Sequence, residues 1–264
     1  MIKLIVTDLD GSLVNDEKDI PSDFWEVEAA LHKMGIRFAV ASGRPLHNIV
    51  MEFDAIKDRT YFISDNGSYI VHQDEELLVL PMNKDIINKF VAITRTLTDV
   101  YPVLCGKHMA FLEDRNEELL ETALTYYQEY EIVDKLEDIN EPILKISICD
   151  FGNTHTNSYP HFKKYEGQYK VAISGARWLD ITEFEADKGN AVRLLQEKLG
   201  VSYDETMVFG DYQNDLQLMK AGKYSYAMKN AQPEVIEAAN FITEFDNNHN
   251  GVVKTIRKMI TEIG

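Results

Sequence analysis

Short apolar runs alternate with amphipathic helical patterns at both ends of this chain, and that rhythm restricts its fold more than any other feature. Residues 2–6 (apart from Lys3), 36–41 and 61–64 read as strands. Between the first two lies a helical pattern over residues 22–34, with Phe24, Val27, Leu31 and Met34 on or near one face, Ser22 as N-cap and Gly35 as stop. Strands alternating with helices predict an α/β fold with a mostly parallel sheet covered on both faces. A hairpin is expected from 69–71 and 77–80, turning at Gln73-Asp74.

From about Met82 to Phe184 the rhythm changes. Helical patterns at 84–98 and 116–130, and a shorter one near 158–166, are interleaved with β-rich pieces at 100–105, 109–112, 143–149, 170–173 and 178–182. Alternation then resumes with a helix over 187–199 stopped by Gly200, a strand at 206–209, a helix at 215–221, a strand at 224–228, a helix opened by Pro233, and an amphipathic helix over 251–263. The expected organisation is a discontinuous core, residues 1–81 and 185–264, with residues 82–184 inserted as a second domain carrying its own sheet.

A length of 264 residues suits one large domain or two modest ones. The formal charge of −17 repels nucleic acid and anionic membrane while enriching divalent cations nearby, so neither polyanion is expected as a partner. No run approaches the ~18 apolar residues of a membrane helix, and no leader pattern precedes the first strand. Cys105 and Cys149 sit among apolar neighbours without a CxxC spacing, as buried thiols in a reducing compartment would. The chain therefore reads as cytoplasmic, as a monomer or homodimer.

Asp8 and Asp10 follow the first strand, where Gly11-Ser12 begins a turn. Side chains two apart on extended backbone share a side, so both carboxylates can face one pocket. Like charges that close raise one another's pKa unless a cation intervenes, which points to a divalent ion. An Asx-turn capping the strand is the plainer explanation of the pair taken alone. Three further strand or helix ends add Ser42-Gly43, Lys188, and Asp211 with Asn214 and Asp215. In an open parallel sheet ligands collect at the carboxyl ends of the strands. Each group also has an ordinary use as a cap, a turn or a solvated charge, and Arg44 is either surface charge or a cleft residue. Together they supply carboxylates, a hydroxyl with backbone N–H donors, an ammonium and an amide, which is what phosphoryl transfer requires. Asp8 could attack phosphorus and Asp10 serve as acid and then base. Asp211 completes an oxygen site suited to magnesium, Lys188 and Ser42 steady the phosphoryl oxygens, and Asn214 holds the loop or the phosphate.

Leu4-Ile-Val-Thr-Asp8-Leu-Asp10-Gly-Ser12, Ala-Ser42-Gly-Arg-Pro, Asp-Lys188-Gly-Asn and Gly-Asp211-Tyr-Gln-Asn214-Asp215, in that order, resemble the four motifs of the haloacid dehalogenase-like (HAD) hydrolases, specifically Cof-type phosphatases with an inserted type IIB cap. The resemblance implies a Rossmann-like core with an inserted α/β cap closing over it. It implies Asp8 as nucleophile, Asp10 as acid/base, and magnesium held by Asp8, the Asp10 carbonyl and Asp211, with Asp215 holding a metal-bound water or lying behind it. It implies phosphate bound by Ser42, Gly43, Lys188 and Asn214. Small phosphomonoesters, sugar phosphates foremost, are the implied substrates, with His108, Arg177 and Trp178 as cap candidates for recognising them. Ser12 stands where Thr is usual and Lys229 where Gly is usual; Asn66-Gly67 also matches a loop of that core. A phosphomutase or phosphotransferase with the same intermediate, or a non-enzymatic phospho-receiver, are the alternatives.

Overall fold

The computed structural model describes residues 1–127 and 129–263. In chain order the regular elements are β1 (Leu4–Thr7), α1 (Phe24–Lys33), β2 (Arg37–Ala41), α2 (Leu46–Glu52), β3 (Thr60–Ser64), β4 (Tyr69–His72), β5 (Glu75–Val79), α3 (Lys84–Thr94), β6 (Val100–Gly106), β7 (Ala110–Leu112), α4 (Glu117–Leu124), β8 (Tyr130–Ile132), β9 (Ile143–Asp150) and α5 (Tyr159–Phe162). They continue with β10 (Tyr169–Gly175), β11 (Trp178–Glu183), α6 (Lys188–Leu199), β12 (Thr206–Gly210), α7 (Leu216–Met219), β13 (Tyr224–Ala227), α8 (Pro233–Ala238), β14 (Phe241–Ile242) and α9 (Gly251–Ile263). Packing divides the chain into two compact units. The first holds residues 1–43, 49–78 and the chain from Asp187 on; the second holds Arg44–Asn48 and Val79–Ala186. Arg44, which the sequence suggested for the core, packs with the second unit, where Asn48 Nδ2 donates to Tyr126 O at 3.1 Å.

The first unit is built on an eight-stranded sheet ordered β14-β13-β12-β1-β2-β3-β4-β5. Strands β14 through β3 run parallel, and β4 returns antiparallel to β3. Every residue of β1 is buried because helices cover both faces of the sheet. On one face Leu4, Val6, Ala39 and Val208 meet Ala191, Val192 and Leu195 of α6 and Leu218 of α7. On the other, Phe24 of α1 lies 5.3 Å from the Phe38 ring of β2 and 5.9 Å from that of Phe53. Strand order reverses at β1: β2 and β3 extend to one side, β12 to β14 to the other. Such a switch leaves a crevice outside the carboxyl ends of β1 and β12, where the two following loops diverge.

The second unit carries a six-stranded sheet ordered β10-β11-β9-β6-β7-β8, antiparallel except for the β7–β8 pair. Period-two alternation splits its faces. Leu104, Ile146, Ile148, Leu179 and Ile181 pack with Phe90 of α3 and Phe162 of α5; Val103, Cys149 and Trp178 pack with Leu119 and Ala123 of α4. Cys105 and Cys149 are buried free thiols, and burial pushes the Cys149 thiol up to about 12. Among the described residues no helix is long and apolar enough to cross a membrane.

Several boundaries depart from the sequence pattern. The helix expected over 116–130 stops at Leu124, because Tyr130–Ile132 pairs in parallel with β7 and tertiary pairing outweighs helical periodicity. The helix expected to reach residue 98 ends at Thr94, whose hydroxyl donates back to Phe90 O at 2.9 Å. Ser22 does not cap α1; the chain enters through Asp23 in a helical conformation, without a side-chain cap. The short edge strand β14 had no sequence signal of its own and exists through its pairing with β13.

Glu28 on α1 is buried, and Arg59 at the entry to β3 holds it with two bonds, Nε to Oε1 at 2.9 Å and Nη2 to Oε2 at 2.5 Å. Removing the arginine strands a buried carboxylate. Arg59→Ala is therefore expected to cost about 3 kcal/mol in urea denaturation, with more than half recovered by adding Glu28→Met. Recovery of nothing would show that Glu28 is already well solvated.

Candidate active site

The loop after β1 is shaped by its neighbour across the switch point. Asp8 N donates to Phe209 O at 3.0 Å, which fixes the carboxyl end of β1 against β12. Gly11 follows with φ +80°, a conformation that strains L side chains, and a Cβ there would collide with the Asp211 carboxylate. Glycine thus lets the two loops close on one another. Ser12 Oγ donates to Asp211 Oδ1 at 2.9 Å, so serine supplies the hydroxyl in place of the usual threonine. Asn230 Nδ2 holds Gly11 O at 2.8 Å from the loop after β13.

Lys188 is the first residue of α6 and is fully buried. Asp187 caps the helix by accepting from Asn190 N at 2.6 Å, which sets where the first turn begins and where the Lys188 side chain departs. Its ammonium donates to Asp8 Oδ1 at 2.5 Å and Asp215 Oδ1 at 2.7 Å. The other oxygen of Asp215 accepts from the backbone N–H of Asp211 at 2.9 Å and of Tyr212 at 3.2 Å. Asp215 therefore links the ammonium to the turn that carries Asp211. One oxygen each from Asp8, Asp211 and Asp215 lie within 4.8 Å of one another.

Electrostatics follow from this geometry. Burial pushes the Asp8 carboxyl well up; Lys188 pulls it down, while Asp215 and Asp211 push it further up. Burial and then Asp215 push Asp211 up to about 6, against the Ser12 hydroxyl, which lowers it. Burial works against the Lys188 ammonium, but Asp215 and Asp8 outweigh it and hold its pKa above the ordinary lysine value. With every group ionised, three carboxylates surround one ammonium and the cluster is left at −2. Hard oxygen donors with that excess could hold a divalent metal ion.

The other expected residues are placed as follows. Ser42 is buried just beyond β2, its N–H donating to Ile63 O at 2.8 Å, and Gly43 adjoins it. Asn214 is exposed on the turn after β12, its Nδ2 donating to Asn66 Oδ1 at 2.9 Å. Asp10 does not join the buried carboxylates; its Oδ1 accepts from Lys18 Nζ at 2.7 Å on the solvent side. Lys229 is exposed and does not have positive φ, so a lysine fits there without backbone strain. Asn66 and Asn230 were not expected as site residues. The Asn66-Gly67 dipeptide after β3 was the available signal for the first, and the second had none.

Residues 5–256 match the family model of the haloacid dehalogenase-like hydrolases. The chain belongs to that family. Among curated relatives it is 28% identical to the 5-amino-6-(5-phospho-D-ribitylamino)uracil phosphatase YbjI of Escherichia coli, over 98% of this chain and 96% of that one. A solved haloacid dehalogenase-like hydrolase from Bacteroides thetaiotaomicron is 26% identical with a TM-score of 0.86, over 98% of this chain and all (100%) of that one. The HAD subclass IIB sugar phosphatase BT4131 shares the fold at 20% identity with a TM-score of 0.79, over 97% and 98% of the two chains. Family and relatives together make this HAD hydrolase an enzyme of the phosphatase class, with the parallel-sheet core and inserted cap of its fold neighbours.

Because burial holds Asp8 and Asp211 above the ordinary range, the folded metal-free chain keeps protons that the unfolded chain releases from about pH 4 upward. Their contribution to stability is thus present at low pH and is lost as pH rises through about 6, the value for Asp211. Removing the ammonium aggravates that loss. Lys188→Met, unfolded with urea in the presence of a chelator, is expected to lose about 3 kcal/mol at pH 7 and clearly less at pH 5. Equal losses at both pH values would contradict the countercharge role.

Proposed function

We propose that this HAD hydrolase is a magnesium-dependent phosphatase of small phosphomonoesters, working through an aspartyl-phosphate intermediate. One observation carries the reading: a fully buried ammonium bridges Asp8 and Asp215 at the topological switch point, with Asp211 against them and the cluster short of positive charge. Sugar and polyol phosphates are the proposed substrates. The family resemblance supports that class, and the name of the Escherichia coli relative specifies a phosphorylated ribityl chain. The buried free thiols support a cytoplasmic setting, and the charge of −17 speaks against nucleic-acid or membrane partners.

In this reading Asp8, the Asp10 carbonyl and Asp211 would hold magnesium, with Asp215 behind them. Bound there, the ion would supply positive charge to the crowded carboxylates and to the phosphoryl oxygens. Burial keeps the Asp8 carboxyl well up even beside Lys188, so the ammonium lowers the cost of ionising the nucleophile and a bound cation would complete it. An Asp8 carboxylate oxygen would attack phosphorus, and the P–O bond to the leaving group breaks as the Asp8–phosphorus bond forms. Asp10 would give a proton to the departing alkoxide and then take one from the water that attacks the phospho-aspartate, releasing phosphate and freeing Asp8. Asp10 lies on the solvent side, as a group that must exchange protons requires. Ser42, the Gly43 N–H, Asn214 and Lys188 would bind the phosphoryl oxygens.

Asp8→Asn is expected to lower turnover of p-nitrophenyl phosphate by about a thousandfold or more while leaving the thermal midpoint near that of the wild type. Retained turnover would remove Asp8 as the nucleophile. Magnesium should compete with the proton on Asp211, whose pKa is pushed up to about 6. Excess magnesium is therefore expected to raise the thermal midpoint by roughly 5 °C at pH 7 and little at pH 5. A shift independent of pH would place the ion elsewhere.

A further inference from the structure

The corner that closes β3 holds three successive residues at positive φ: Asp65 at 48°, Asn66 at 55° and Gly67 at 97°. Left-handed backbone suits glycine and is tolerated by Asn and Asp, but two non-glycine residues in a row persist only where their surroundings fix them. Locally, Ser68 locks the corner by donating through N and Oγ to Asp65 O, at 3.2 and 2.9 Å. Beyond that, the corner touches three segments distant in sequence. Asn66 N donates to Ser42 O at 3.0 Å, and a Cβ on Gly43 would stand only 3.0 Å from Asn66 Oδ1, so the amide lies close over that glycine. Asn66 Oδ1 accepts from Asn214 Nδ2 at 2.9 Å. A Cβ on Gly67 would run into the carbonyl of Asp187 and come within 3.1 Å of Lys188 N.

One tight turn thus abuts the three segments carrying Ser42-Gly43, Lys188 and Asn214. We propose that Asn66 is a positioning residue for phosphate recognition, its backbone N–H fixing the Ser42-Gly43 loop and its side chain fixing the orientation of the Asn214 amide. The inference rests on the phosphatase reading above and adds a residue to it. Asn214 is exposed on a short turn, and without Asn66 its amide could rotate freely. A donor already aimed before the anion arrives loses less entropy on binding. Residue chemistry narrows the choice at this position. Asparagine combines an acceptor for Asn214 with tolerance of left-handed backbone; aspartate would keep the acceptor but add negative charge beside a phosphate site; glycine would keep the backbone and lose the amide.

Asn66→Gly therefore separates the side chain from the turn. In the magnesium-loaded enzyme, inorganic phosphate is titrated by calorimetry and as a competitive inhibitor of p-nitrophenyl phosphate hydrolysis. Asn66→Gly is expected to keep the thermal midpoint within about 2 °C of the wild type and to weaken phosphate binding about tenfold. Asn66→Asp is expected to weaken it further. In the Asn66→Gly/Asn214→Ala double variant the loss should match that of Asn214→Ala alone, because the two amides act as one unit. Wild-type phosphate affinity in Asn66→Gly, or single-variant losses that multiply in the double variant, would overturn the proposal. If Asn66→Gly is unstable, Asn66→Asp decides: unchanged phosphate affinity in that variant overturns it. A wild-type enzyme that neither hydrolyses the ester nor binds phosphate would overturn the phosphatase reading and this inference together, whereas failure of the variants alone removes only the role of Asn66.

Discussion

A single buried ammonium organises the first unit at its carboxyl-end crevice. Lys188 has no solvent to satisfy it, so its side chain must be paired, and its partners Asp8 and Asp215 come from the ends of β1 and β12. Burying a lysine is costly unless carboxylates surround it, and burying carboxylates is costly unless a cation does. Each group makes the other tolerable. Asp215 then passes the constraint on through its second oxygen to the backbone of Asp211 and Tyr212, so the turn after β12 is held by the same network.

The balance of that network is incomplete in charge. The ammonium answers one carboxylate of three; burial first, and the neighbouring carboxylates after it, push Asp8 and Asp211 up. A site poised in this way suits chemistry in which positive charge arrives with the ligand or beside it. Close approach explains glycine at position 11, where a Cβ would collide with the Asp211 carboxylate, and the hydroxyl at position 12 donates to that carboxylate as the loop after β1 comes against it.

Parallel strands provide the frame for this convergence. With β1 at the point where strand order reverses, the loops after β1, β2, β3 and β12 all open at the same edge of the sheet. Asn66 shows what that edge demands of the backbone, since its corner is left-handed over three residues and touches the Ser42, Lys188 and Asn214 segments at once. The second unit has a different construction, a sheet antiparallel except at the β7–β8 pair with apolar layers on both faces. A predicted helix there gives way to strand β8 once β7 offers a parallel partner.

Much of this was legible in the chain itself. Periodicity gave the strand–helix alternation, the change of rhythm after Met82 suggested an insertion, and Asp8, Lys188, Asp211 and Asp215 stood out only as a set, since each alone has an ordinary use as a cap, a turn or a solvated charge. What sequence could not express was distance. Lys188 and Asp8 are 180 positions apart in the chain, and only the sheet topology makes them a 2.5 Å pair. The same holds for Asp10, whose nearness to Asp8 in sequence suggested a shared pocket, although the turn at Gly11 leaves its carboxylate with Lys18 on the solvent side. Asn66 was hidden for the converse reason: an Asn-Gly pair is an ordinary turn until its neighbours in space are known. Local propensity and pattern fix what each segment becomes because those forces act within a few residues; which polar groups meet, and whether a carboxylate is buried or solvated, depends on packing between remote segments and is decided only when the sheet closes.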